Sequence, residues 1–216
     1  MGVGIQDAVR VGQKLGGSGL PPVTGNSRLP NVSLSERPER SETGVWIGIF
    51  AIIMTFAALT SAMIVREGVA LDWSYFQLPK ILYLNTVILI FSSWTLETAL
   101  AKMNEGENRF SEGMTWLCIT LALGGVFVIG QVIAWRVLAG RGLFLATNPS
   151  SSFFYVFTAA HALHLIGGIL GLGYLIYKLN RNRSAARTTG IRATSLYWHF
   201  MDGLWVYLFV LLLARM

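Results

Sequence analysis

Five long apolar segments constrain the fold of this sequence more than any other feature. An α-helix needs about 20 apolar residues to cross the hydrocarbon of a bilayer, and each segment is long enough for one crossing. The alternation of polar and apolar residues that is typical of membrane β-barrels is absent. The sequence therefore predicts an all-α integral membrane bundle of five transmembrane helices, at residues 44–65, 81–101, 114–135, 152–177 and 193–214.

The composition supports a membrane protein and limits the other classes. Of the 216 residues, 53% are hydrophobic and 13% are charged, and the mean hydropathy is +0.54. Soluble domains carry about 25% charged residues. The net charge of +6 does not indicate a nucleic acid partner, because the basic residues flank the apolar segments instead of forming one patch. A single cysteine, Cys118, excludes an internal disulfide and a cysteine-based metal site.

The distribution of basic residues predicts the orientation of the bundle. Five crossings place the two termini on opposite sides of the membrane, and twelve of the 17 Lys and Arg residues fall on the N-terminal side. The positive-inside rule then predicts a cytoplasmic N-terminus and a C-terminus outside. Residues 1–43 are polar and rich in Gly, Pro and Ser, without the apolar core of a signal peptide. We expect them to form a poorly ordered tail before a single membrane domain at residues 44–216.

The chain has three histidines, and all of them lie in apolar segments. His161 and His164 are one helical turn apart, and His199 lies in the last segment. Three histidines are a known ligand set for zinc, copper or iron. The alternative is a polar layer in which each histidine hydrogen-bonds a neighbouring helix, as buried polar side chains in membrane bundles usually do.

Asp202 lies one turn after His199, in the stretch "YWHFMDGLWVYLF" at residues 197–209. A carboxylate at the centre of a membrane helix costs about 2.5–3.5 kcal/mol, so it needs a partner or a function. Pairing with one of the three histidines would keep it buried. A proton relay or a counter-ion for a cofactor is the functional alternative. Glu97, near the cytoplasmic end of the second segment, is expected to snorkel or cap the helix.

Small polar residues in the second and third segments predict close helix packing. Such residues let helices approach and hydrogen-bond to one another. They are Asn85, Thr86, Ser92, Ser93 and Gln131. The sequence has no phosphate-binding loop, no nucleophile–histidine arrangement, no carboxylate cluster and no axial-ligand pattern for haem, so it predicts no catalytic centre in this chain. An independent transporter or a histidine–metal membrane enzyme is the remaining alternative.

Four stretches carry a resemblance to a known family. They are "LNTVILIFSSWT" (84–95), "LGGVFVIGQVIAW" (123–135), "FFYVFTAAHALHLIGG" (153–168) and the stretch that contains Asp202. Together they resemble subunit III of the haem-copper oxidases, in the five-helix form of bacterial cytochrome c oxidases. The resemblance covers residues 44–214 and implies an accessory, non-redox subunit of a proton-pumping terminal oxidase in the bacterial inner membrane. The corresponding subunit of a quinol oxidase or a nitric oxide reductase is the alternative.

The resemblance also implies partners and roles for residues. Haem and copper are expected in partner subunits and none in this chain, which would dock on the catalytic subunit I and hold phospholipids in a cleft. The side chains of His161, His164, His199 and Asp202 would be structural members of a buried polar layer. Four basic residues would meet lipid headgroups on the cytoplasmic side: Lys178, Arg181, Arg183 and Arg192.

The sequence departs from the family pattern where the family carries carboxylates. Ile52 stands where a membrane glutamate is expected, and Ala134 stands where the third segment usually has a second one. A position that is often acidic is Arg192. These replacements argue against proton relay or storage and favour a role in assembly and stability.

Overall fold

The computed structural model describes residues 40–69, 71–105, 107–181 and 189–215, and these form five α-helices. In chain order they are α1 (Arg40–Val69), α2 (Ile81–Asn104), α3 (Glu107–Gly140), α4 (Pro149–Arg181) and α5 (Thr189–Arg215). All five are long and apolar enough to cross a membrane. The prediction of an all-α bundle with five transmembrane helices is therefore confirmed, and the described ranges contain no strand.

The helices extend beyond the apolar segments that predicted them. α3 begins at Glu107, well before residue 114, because charged side chains support its polar first turns. Arg109 forms an ion pair with Glu105 at 2.9 Å, and Glu112 pairs with Lys102 across the connection from α2. α1 begins at Arg40, inside the segment that was predicted as a tail. Residues 1–39 lie outside the described ranges, so the tail remains a prediction.

The helix contacts place α5 in the middle of the bundle. It packs against α1, α2 and α4, while α3 packs against α2 and α4. In the described part of the chain, α1 contacts α4 and α5 but neither α2 nor α3. A groove therefore separates α1 from α2, with α5 as its floor.

Two hydrophobic clusters fill the bundle. The larger one takes buried side chains from all five helices, and at its centre the rings of Phe127 and Trp205 meet edge to face with centroids 4.8 Å apart. The smaller one surrounds Trp198 between α2, α3, α4 and α5. Ile52 and Ala134 both belong to the larger cluster and are almost fully buried. The two positions at which the resemblance implies glutamates are thus apolar core positions in this chain.

Polar side chains fix the connections on the side of the bundle where α4 begins. Ser150 donates a hydrogen bond to the carbonyl oxygen of Ser74 at 2.7 Å, and the amide of Asn148 donates to the Ser74 hydroxyl at 2.5 Å. α4 starts at Pro149, a favoured first helical residue, and not at the predicted residue 152. These bonds hold the connection between α1 and α2 against the start of α4.

Candidate functional site

A chain of polar contacts joins α2 to α5 inside the membrane-spanning region. The hydroxyl of Ser93 donates a hydrogen bond to Oδ2 of Asp202 and lies 3.1 Å from Nδ1 of His199. The other ring nitrogen of His199 lies 2.6 Å from Oε1 of Glu97. Ser93 and Glu97 are one turn apart on α2, and His199 and Asp202 are one turn apart on α5. The side chains of the α2 pair therefore contact those of the α5 pair where the two helices pack.

The chemistry of the donors constrains where the protons lie in this chain of contacts. A hydroxyl has one hydrogen, and Ser93 gives it to Asp202, so Ser93 accepts from an N–H at Nδ1 of His199. Nε2 of His199 then faces a carboxyl oxygen of Glu97. That contact is a hydrogen bond only when a proton lies between the two atoms, on either the ring or the carboxyl. Ser93 and Glu97, both on α2, thus contact the two ring nitrogens of His199 on α5.

The contacts run from the interior to the surface of the bundle. Asp202 is 7% exposed, and its Oδ1 has no hydrogen-bond partner among the described residues. The side chain of His199 is 37% exposed and that of Glu97 is 61% exposed. The buried carboxylate is thus stabilised by Ser93, and the histidine next to it connects to an acidic group on the outer face.

The structure brings together two members of the predicted polar layer and places the other two elsewhere. His161 is fully buried between Phe127 and Trp205, with ring centroids 6.0 and 5.1 Å away, and neither of its nitrogens has a partner among the described residues. His164 turns away, and its Nδ1 bonds the carbonyl of Ala160 on its own helix at 2.7 Å. The described residues contain no group of three His, Cys, Asp or Glu side chains that could hold a metal ion.

Sequence reasoning missed the link that Glu97 makes. The expectation was that Glu97 snorkels or caps its helix, and the structure instead pairs it with His199. The sequence did contain a relevant pattern: Ser93 and Glu97 are four residues apart, so they lie on the same face of α2 and can contact the same neighbouring helix. The sequence did not show which helix that face meets.

The predicted packing residues of α2 hydrogen-bond to α5 and α3. The indole nitrogen of Trp198 donates to the hydroxyl of Ser92, and that of Trp205 donates to the hydroxyl of Thr86, both at 3.1 Å. The side-chain amide of Asn85 donates to the carbonyl of Phe127 at 3.4 Å. Each of these contacts crosses from one helix to another, as small polar residues in membrane bundles do.

Close approach of α2 and α3 depends on Gly130. A Cβ atom added there would lie 2.2 Å from Oδ1 of Asn85, which is far inside contact distance. Gln131, the next residue, is 1% exposed, and both polar atoms of its side-chain amide are without a partner among the described residues. Asn85 therefore takes part in the α2–α3 interface directly, whereas Gln131 is buried without a hydrogen bond to any described residue.

The groove between α1 and α2 has a volume of about 640 Å³. Trp46 of α1, Leu100 and Met103 of α2, and Arg192 and His199 of α5 are among its lining residues. It opens at the end of the bundle that holds the start of α1, the end of α2 and the start of α5.

Of the four basic residues expected at lipid headgroups, Arg192 lines the groove. Lys178 and Arg181 are exposed on the last turn of α4, where Arg181 donates a hydrogen bond to the hydroxyl of Tyr177 at 2.9 Å. Arg183 lies outside the described residues. Among the three of these residues that the structure describes, Arg192 is thus the basic residue that lines a cavity.

Comparison with known proteins places this arrangement in a family. The family model described as "Cytochrome c oxidase subunit III" matches residues 41–214. "Cytochrome c oxidase subunit 3" of Thermostichus vulcanus is 32% identical over 183 residues, which is 82% of this chain and 88% of that protein. The protein of the same name from Synechocystis sp. is 31% identical, over 81% of this chain and 75% of its own. "Quinol oxidase subunit 3" of Bacillus subtilis is 30% identical, over 86% of this chain and 92% of its own.

Proposed function

The chain belongs to the cytochrome c oxidase subunit III family, and we propose that it is an accessory, non-redox subunit of a proton-pumping respiratory oxidase that reduces oxygen to water. The family match to residues 41–214 carries this proposal, because it includes all five membrane helices. Membership makes the chain a multi-pass membrane protein of an oxidase complex. The proposed partner is the catalytic subunit I, which would hold the haem and copper.

The contacts of the small polar residues of α2 fit a structural role. Ser92, Thr86 and Asn85 each bond across a helix interface, and Ser93 holds the buried carboxylate of Asp202. Together with the apolar core positions of Ile52 and Ala134, these contacts support stabilisation of the complex as the role of the chain. Proton relay through the two family glutamate positions is excluded by the side chains present there.

Cytochrome c is the proposed electron donor of the complex, and quinol is the alternative. The relatives named for cytochrome c oxidase are 32% and 31% identical, and a relative named for quinol oxidase is 30% identical. A nitric oxide reductase is a further alternative within the same superfamily, and the donor site belongs to other subunits in each case.

The location proposed for the chain is the bacterial inner membrane, with the N-terminus in the cytoplasm. The charge distribution of the sequence supports this orientation. We further propose that a phospholipid occupies the groove between α1 and α2, with its headgroup near Arg192 and an acyl chain along Leu100 and Ile191. Basic side chains at the cytoplasmic surface attract anionic lipids, at about 1 kcal/mol each.

Purification through a tag on this chain in mild detergent tests the proposed function. We expect haem-containing subunits in the eluate, haem bands in its optical spectrum, and oxygen uptake driven by reduced cytochrome c. Activity with quinol alone would identify quinol as the electron donor and leave the role as an accessory oxidase subunit unchanged. A colourless eluate that contains only this chain would overturn the proposed function.

A further inference from the structure

Glu97 is exposed on the outer face of the bundle, and the length of α2 indicates that it lies at the depth of the hydrocarbon layer. α2 has 24 residues. Such a helix is about 36 Å long, and the hydrocarbon of a bilayer is about 30 Å thick. Glu97 is seven residues, or about 10.5 Å, before the last residue of α2. In a helix centred on the bilayer it therefore lies about 7.5 Å inside the hydrocarbon boundary.

The charged end of the α2–α3 hairpin gives an independent marker of this depth. Ion pairs join Lys102 to Glu112 and Arg109 to Glu105, as expected of side chains at the headgroup level. Glu97 lies five residues before Lys102, which is about 7.5 Å deeper along the helix. The carboxyl group of Glu97 therefore belongs to the apolar layer, although 61% of its side chain is exposed on the bundle.

A carboxyl group in this position is unfavourable against acyl chains. Ionisable residues inside membrane segments almost always face a protein interior or a water-filled cavity. His199 supplies one partner for Glu97, but 61% of the Glu97 side chain remains exposed outside the groove, so the carboxyl group is open on its outer side. The exposed apolar side chains of α2 could be covered equally well by lipid or by protein. The exposed carboxyl group of Glu97 favours protein, because a protein can supply a polar partner at this depth.

We propose that a transmembrane helix of another oxidase subunit docks on this surface and directs a hydrogen-bond donor or a cationic side chain at Glu97. The surface, called the Glu97 face below, consists of Phe91, Trp94, Glu97 and Ala101 of α2, all exposed, and it borders the groove that His199 lines. This inference rests on the proposed function, because it assumes an oxidase complex, and it adds the side of the bundle through which the chain binds.

Two features of the Glu97 face suit a protein partner. Acyl chains have no donors for a carboxyl group, and lipid headgroups lie at the level of Lys102, so a donor at the depth of Glu97 requires a side chain. Trp94 also packs against Phe91 and against Trp116 of α3, with ring centroids 5.3 and 5.8 Å apart. Aromatic residues held in this way are enriched at protein interfaces.

Site-specific photo-crosslinking in the purified complex tests the inference without altering Glu97. A benzophenone amino acid replaces Trp94, and the control places it at Tyr174 on α4, another exposed aromatic residue in a membrane segment. We expect irradiation to link position 94 to a polypeptide that mass spectrometry identifies as a haem-containing subunit or one bound to it, in much higher yield than at position 174.

Other crosslinking results would contradict the inference. Crosslinks from position 94 only to lipid, to residues 1–39 of the same chain or to a second copy of it would overturn the inference, as would equal yields at both positions. In those cases haem subunits still co-purify, so the proposed function stands. Absence of haem subunits from the unmodified preparation would instead contradict the proposed function.

Substitution of Glu97 provides a second test on the same complex. Glu97→Leu removes the carboxyl group, whereas Glu97→Gln keeps an acceptor for the partner's donor. Loss of one side of a buried, charge-assisted contact between subunits weakens binding by on the order of tenfold or more. We expect Glu97→Leu to accelerate loss of the other subunits during detergent washing by that factor and Glu97→Gln to lose them more slowly. Equal retention in both variants and the unmodified chain would overturn the inference.

Discussion

Ser93 on α2 donates a hydrogen bond to the carboxylate of Asp202 on α5, and this bond supplies the buried carboxylate with a donor. The other oxygen of Asp202 has no partner among the described residues, so Ser93 has no substitute there. A buried acceptor that loses its partner costs about 1–3 kcal/mol, and more when it is charged. The stability of the α2–α5 interface should therefore depend strongly on one hydroxyl group.

We predict that Ser93→Ala destabilises the chain by at least about 1–3 kcal/mol. The double variant Ser93→Ala with Asp202→Asn should recover part of the loss, because a neutral amide is less costly to bury without a partner than a carboxylate. Thermal unfolding of the detergent-purified complex, followed through this chain, measures both effects. A double variant that is less stable than Ser93→Ala would contradict the assignment of Ser93 as the partner of Asp202.

Gly130 predicts a second sensitive position, at the α2–α3 interface. In Gly130→Ala the added methyl group meets Oδ1 of Asn85, and overpacking of this kind costs about 1–3 kcal/mol. Gly125→Ala is the matched control, since no described residue outside its own stretch of helix lies within 4 Å of a Cβ atom at that position. It should be neutral or slightly stabilising, because alanine favours the helix over glycine by up to about 1 kcal/mol. Unfolding in increasing denaturant distinguishes the two, and similar losses in both variants would contradict the close approach.

The sequence predicts the helices of this protein better than their contacts. Hydropathy and length locate all five helices because burial in lipid demands long apolar runs. The helix ends are missed where charged side chains extend a helix beyond the hydrocarbon, as at Glu107. Contacts between helices depend on how each helix is rotated about its axis, and apolar segments exposed to lipid on one side give little signal for that rotation.

The polar residues illustrate the same limit. His161 and His164 are three residues apart, yet one points into the aromatic core and the other bonds its own helix. Residues three apart on a helix differ by about 60° in direction, which is enough to face different neighbours. The roles of Ser93 and Glu97 follow from the packing of α2 on α5, which the sequence did not specify.

Thr86 predicts a smaller effect, through the hydrogen bond that it accepts from the indole of Trp205. Thr86→Val keeps the shape of the side chain but leaves the buried indole N–H unpaired, and hydrogen bonds between membrane helices contribute about 0.6 kcal/mol on average. Thr98→Val is the control, because among the described residues its hydroxyl bonds the carbonyl of Trp94 on the same helix and no other helix. We expect a measurable loss of unfolding free energy for Thr86→Val and none for Thr98→Val. Equal losses of unfolding free energy in both variants would show that the effect comes from the replacement of threonine by valine within the helix and not from the bond to Trp205.

Arg192 predicts where an anionic lipid is retained. Removing one basic group near the membrane surface costs about 1 kcal/mol, so Arg192→Gln should weaken retention of anionic phospholipid by about fivefold. Lys178→Gln serves as the control, because Lys178 is exposed on α4 and does not line the groove. Native mass spectrometry of the complex in delipidating detergent measures the bound lipid. Similar losses in both variants would place the lipid outside the groove.

The orientation of the bundle predicts which connections a reagent outside the cell reaches. With a cytoplasmic N-terminus, the connection between α1 and α2 lies outside, and the connection between α2 and α3 lies inside. Single cysteines at Leu71 and Glu105, both exposed, report on these two connections once Cys118→Ser has removed the native thiol. A membrane-impermeant maleimide added to intact cells should label position 71, and it should label position 105 only after the membrane is opened. The reverse labelling pattern would show that the orientation is opposite to the one predicted. Arg192 and the groove would then lie at the outer surface, contrary to the positive-inside rule.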